Sequence, residues 1–175
     1  VHFSPPTMSR VRLMKELREA GQHPNPDIDL EIIGGSFEHW VAVIRPPKTD
    51  KAYGGGSFVL HLQCGPMYPI EPPKVTMVTK IFHPNVKYDT GEICLDILKR
   101  DGWSPAWTLT YVCMAILSLL AEPNADSPLN CDAGNLLRNG DRRGFNSLAH
   151  MYTLENATKQ DAQEDRQKLV DALCR

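Results

Sequence analysis

The chain has 175 residues, 42% of them apolar, enough for one domain with a full hydrophobic core. Its 19 basic and 21 acidic residues nearly cancel to a net charge of -2, with no basic block to draw a phosphate backbone, so nucleic acid is excluded as an expected partner. The five cysteines, at 64, 94, 113, 131 and 174, show neither CxxC nor Cys/His ligand spacing, so no metal or cofactor is expected, and the scattered odd set reads as reduced thiols of a cytosolic compartment.

In chain order, Val11, Met14 and Leu17, with Leu13, Leu17 and Ala20, recur at spacings of three and four. They predict an amphipathic helix from Pro6 to Ala20, closed by Gly21 and the HPNP that follows. The runs 29–33, 39–45, 57–64 and 74–78, separated by turn clusters such as PPKTDKAYGGG, predict a four-stranded antiparallel meander. After Ile81 a long irregular stretch runs to Leu109, and loops of that length in a compact domain either carry function or are disordered. Phe82, Ile93, Leu95, Ile97, Leu98, Trp103 and Trp107 are enough to pin this one down, which predicts a rigid active-site wall with Cys94 in its middle. Thr110 is predicted to cap a helix through Ala121 whose apolar positions lie almost all round, so that it should be buried. Its apolar run, 111–121, is too short to span a bilayer, and the start of the chain has no signal-like apolar region, so no direct membrane insertion is expected. Segments 131–138 and 141–157 read as helical, and the fold class is α+β. Residues 158–175 read as a polar helix or loose tail, since Leu169, Val170 and Leu173 are too few to decide.

HPN at 83–85, GEICLDIL at 91–98, WSPAWTL at 103–109 and EPNADSPLN at 122–130, preceded by YPIEPPKV at 68–75, resemble the ubiquitin-conjugating enzyme family in order and spacing, from about residue 7 to about residue 157. The resemblance implies an N-terminal helix, a four-stranded antiparallel sheet and C-terminal helices, with residues 1–157 as the catalytic core domain and 158–175 as a C-terminal extension. Within the family, GEICLDILKRDGWSPAW and DSPLNCDAGNLLRNGD are similar to the peroxisomal branch that modifies cargo-import receptors for recycling. That similarity implies a cytoplasmic enzyme recruited to the cytosolic face of the peroxisomal membrane by an anchor protein. Ubiquitin would reach Cys94 from the activating enzyme in an ATP-dependent pathway, and pass with a RING-type ligase to the import receptor, on cysteine or lysine. By position, Arg12 and Lys15 match contacts to the activating enzyme, although exposed basic residues on a helix commonly do no more than face solvent. Ile70, Pro105 and Ala106 match the ligase loops, and Leu136, Leu137, Leu148, Met151 and Tyr152 offer either an anchor face or core.

The chemistry suits these residues. A carrier must accept an acyl group and release it again, and sulfur does both better than oxygen. A thiol with the ordinary pKa of about 8.5 is only a few per cent thiolate at neutral pH, but an incoming thioester is already activated, so Cys94 needs no strong base. Charge growing on the carbonyl oxygen can be met by a side-chain amide, an effect of about 3 kcal/mol at comparable sites. Asn85 is the candidate donor, with loop bracing through backbone bonds as the competing role. His83 is either a brace for the loop or the base of a cysteine hydrolase, and Asp96 is either a supporting acid or a solvated carboxylate. The other four cysteines read as inert, and Trp103 and Trp107 as packing.

Ser127 in DSPL stands where many family members carry an aspartate, and Asp126 is the nearest substitute. An acid there would help deprotonate an incoming lysine, so its absence leaves room for a thiol acceptor. Asp29 stands where some members have the serine of a rear ubiquitin-binding face, so that site is not carried over. The rival readings are a general lysine-directed cytosolic conjugating enzyme, an inactive ubiquitin-binding adaptor, and a cysteine hydrolase.

Overall fold

A computed structural model describes residues 8–174. The first helix, α1, spans Met8–Gln22; the expected start at Pro6 lies outside the described residues. Four strands follow, β1 (Ile28–Ile33), β2 (Ser36–Ile44), β3 (Phe58–Gln63) and β4 (Lys74–Met77), in the sheet order β1-β2-β3-β4 with every neighbour antiparallel. Three helices then come in succession, α2 (Leu109–Ala121), α3 (Cys131–Arg138) and α4 (Arg142–Asn156), and a last one, α5, covers Lys159–Leu173.

The period-2 alternation of a strand sorts the sheet into two faces. Trp40, Ala42 and Ile44 of β2, Phe58, Leu60 and Leu62 of β3, and Val75 and Met77 of β4 turn inward. They pack with Leu109, Val112, Cys113, Ile116 and Leu120 of α2. The outer face carries Ile33, Val41 and Val59, and α5 lies on it, with Ala162 buried among them and Leu169 and Val170 at the margin. Polar ties complete that docking: Thr79 Oγ1 donates to Asp165 at 2.9 Å, and Arg166 pairs with Glu31. Thr158 and Asp161 cap α5 reciprocally, which fixes where it starts.

Two expectations about α2 are corrected. Its cap is Thr108 and not Thr110: Thr108 is extended (φ -106°, ψ 167°) and accepts from Tyr111 N, whereas Thr110 already lies inside the first turn. The helix is also not buried all round, because Tyr111 and Met114 face solvent.

Candidate active site

The stretch between β4 and α2 has little regular structure beyond two short 3-10 turns, Asp96–Leu98 and Arg100–Gly102, yet its backbone is pinned along its length. Val86 bridges Ile93, and Thr76 of β4 bridges Glu92. The turn between them closes through Gly91 N to Lys87 O (2.8 Å) and Lys87 N to Glu92 O (2.9 Å). Gly91 sits at φ 70°, and a Cβ there would lie 1.9 Å from Met77 O, so only glycine lets the turn approach β4. Lys80 Nζ donates to Tyr88 O and Asp89 O and holds the turn from below.

Cys94 is fixed in this wall by its own N–H, which donates to Asn85 O at 2.8 Å, and its side chain is half-buried. The other cysteines differ. Burial pushes the thiols of Cys64 and Cys113 up to about 12, with the Glu16 carboxylate adding to the effect at Cys64. Cys131 and Cys174 are exposed, at the start of α3 and just beyond α5.

His83, Pro84 and Asn85 form the node on which the wall hangs. His83 Nδ1 accepts from Asn85 N (3.0 Å), which leaves Nε2 to donate to Leu119 O (3.1 Å). Burial lowers its pKa to about 4, so the ring is neutral and both nitrogens are taken. Pro84 O accepts from Leu129 N and Asn130 N. The Asn85 side chain, 4% exposed, grips Asn124 with both ends of its amide, Oδ1 accepting from Asn124 N and Nδ2 donating to Asn124 O, each at 2.8 Å. A primary amide has two N–H groups, so bracing the loop and donating a second hydrogen bond are compatible roles. Asn124 Oδ1 in turn accepts from Asp126 N, and the side chains of Asp126 and Ser127 stand exposed beyond it.

Asp96 is exposed and bonded to Lys99 Nζ at 2.7 Å. That bond, and then the charge of Cys94, raise the pKa of the Lys99 ammonium. Sequence reading did not single out Lys99; its signal was the charged KRD run just after the cysteine motif.

The matched partner positions separate clearly. Lys15 is exposed, in a loose pair with Glu19, whereas Arg12 is engaged within the chain: its guanidinium bonds Glu16, Pro105 O and Trp107 O. Ile70 (60% exposed), Pro105 and Ala106 face solvent on two loops joined by Trp103 Nε1 donating to Pro69 O (2.7 Å) and by the Arg100–Glu71 pair. Leu136, Leu148 and Tyr152 line a shallow groove between α3 and α4 floored by Phe82, while Met151 is exposed on the same helix as Leu148 and Leu137 is half-buried against the core. Among the described residues no three His, Cys, Asp or Glu side chains converge as a metal would need, and no helix is long and apolar enough to cross a membrane.

Comparison with known proteins bears on the family and the fold. The family model described as ubiquitin-conjugating enzyme matches residues 12–153. Protein PEROXIN-4 of Arabidopsis thaliana is 54% identical over 147 residues, 83% of this chain and 92% of its own length. Ubiquitin-conjugating enzyme E2 pex4 of Dictyostelium discoideum is 51% identical over 144 residues, 82% of this chain and 95% of its own. Among solved structures, the H. polymorpha ubiquitin conjugating enzyme Pex4p, in complex with the soluble domain of Pex22p, superposes with a TM-score of 0.81 at 33% identity, covering 87% of this chain and 100% of that one.

Proposed function

The chain belongs to the ubiquitin-conjugating enzyme family, and from that premise we propose that it carries ubiquitin as a thioester on Cys94 and hands it, with a RING-type ligase, to a peroxisomal import receptor. The observation that carries this reading is the position of Cys94: half-buried in a braced wall, while Cys64 and Cys113 are sealed in the core. In loading, the Cys94 thiolate attacks the thioester carbonyl on the activating enzyme, a new C–S bond forms, and the enzyme's thiolate leaves. In transfer the acceptor attacks the same carbonyl and Cys94 is the leaving group. The unspent N–H of Asn85 is suited to meet the oxygen as charge grows on it. His83 does not supply the base that the hydrolase alternative asks of it, since both its nitrogens are engaged.

The ligase reading rests on Ile70, Pro105 and Ala106, exposed apolar groups on loops tied to each other. The groove of Leu136, Leu148 and Tyr152, with Met151 beside it, is the proposed seat of a membrane anchor, which would hold the enzyme at the cytosolic face of the peroxisome; a relative of the same fold was crystallised with the soluble domain of Pex22p. Exposed Ser127, in place of an acid, favours a thiol acceptor over lysine.

The test is charging. With ubiquitin, ATP and the activating enzyme, the parent should give a band heavier by one ubiquitin that reductant removes and Cys94→Ala abolishes. No such band on the parent would sink the proposal.

A further inference from the structure

Glu16 is a charge in an apolar place. It falls seven residues after Ser9 and three after Leu13, on the buried stripe of α1, and is 4% exposed. Three donors converge on it: Oε1 accepts from Arg12 Nε and from Tyr68 Oη, both at 2.6 Å, and Oε2 accepts from Leu109 N at 2.7 Å. Each donor leads to one of the two loops discussed above. Tyr68 stands two residues before Ile70, and Leu109 opens α2 immediately after the loop that holds Pro105 and Ala106. Arg12, oriented by Glu16, sends Nη1 to Pro105 O (2.9 Å) and Nη2 to Trp107 O (2.7 Å). One carboxylate therefore grips both loops from beneath, while Ile70, Met67, Pro105 and Ala106 stay exposed on top.

A buried ion pair is a weak source of stability, because apolar side chains of the same volume commonly do as well or better. It does impose one geometry, since each donor has a fixed direction. A patch already held in its docking arrangement loses little loop entropy when a partner binds. We infer that Glu16 is a positioning residue for ligase-dependent transfer, fixing the Ile70 loop and the Pro105–Ala106 loop in the relative placement that a RING domain reads. The inference rests on the ligase reading of that patch.

Glu16→Gln keeps the shape but sets an NH2 group where three donors converge. Parent and variant are charged with ubiquitin, and thioester decay is followed with free cysteine alone. The same decay is then followed with a RING domain, chosen from a panel as the one that most accelerates the parent. Charging and ligase-free decay should match the parent, while the RING acceleration falls about tenfold. Tyr68→Phe, which deletes one donor and keeps the ring, should lose part of the acceleration. Undiminished acceleration in both variants overturns the inference. So does a proportional loss in all three rates, which would make Glu16 a residue of stability alone, or a panel in which no RING domain accelerates the parent. Absence of a reducible thioester on the parent is a separate result: it overturns the transfer reading, and this inference with it.

Discussion

The node that holds Cys94 in place is built from neutral contacts, made by backbone groups, a neutral imidazole and a side-chain amide, and the nearby Lys99 ammonium is on an exposed side chain. Around Glu16 a full charge is buried beneath three donors. The contrast follows from what each place must do. A carrier sulfur has to attack a carbonyl and later to leave it, so a strong local field would favour one step at the expense of the other. Two surface loops that must keep one relative placement gain from a charge whose bonds are short and directional.

The sharpest way to break this comparison is to delete both centres and read stability and activity together. Glu16→Ala leaves Arg12 without its partner and is expected to cost about 3 kcal/mol or more in urea unfolding, whereas Cys94→Ala should cost less than about 1 kcal/mol while abolishing the thioester. Similar losses of stability from the two substitutions would remove the distinction. Next comes pH. His83 titrates near 4 in the fold against an ordinary 6.5, so between those values the unfolded chain binds more protons. Its contribution is complete above pH 6.5 and is lost as pH falls toward 4, roughly 3 kcal/mol in all. Denaturation midpoints across that window should show the slope, and His83→Gln should flatten it; an unchanged slope in the variant would assign the effect to other groups.

Asn85→Ala removes both bonds to Asn124 as well as the spare N–H. Discharge, measured well below the unfolding temperature, should fall about a hundredfold. Near-parent discharge would leave Asn85 with the loop-bracing role alone. The smallest expected effect is at Ser127. Ser127→Asp should speed discharge to free lysine by less than about tenfold, and leave discharge to free cysteine as it was. No change with lysine would end the argument from the missing acid.

Much of this was legible in the sequence where a pattern repeats. The four β-type runs between turn clusters and the stretches 131–138 and 141–157 translated into elements displaced by only a few residues, and the shared motifs pointed to the family. What escaped depended on contacts distant in sequence. Glu16 drew no reading from the sequence, and only its donors at Tyr68 and Leu109 show why it lies inside. Arg12 read as a surface contact because nothing local betrays carbonyl partners more than ninety residues away. The α2 cap was set two residues late, since TLT offers two threonines and only the backbone angles choose between them. The fate of residues 158–175 stayed open because Ala162, the residue most deeply seated on the sheet, has too small a side chain to register as an apolar signal.

That last helix has a practical consequence for anyone shortening the protein to its first 157 residues. Cut after residue 157, the sheet would present Ile33, Val41 and Val59 as a bare, β-branched stripe to water. Such a surface is adhesive: the shortened form should self-associate as its concentration rises even if its thioester chemistry is untouched, and a poor yield from it would report on colloidal behaviour rather than on the enzyme.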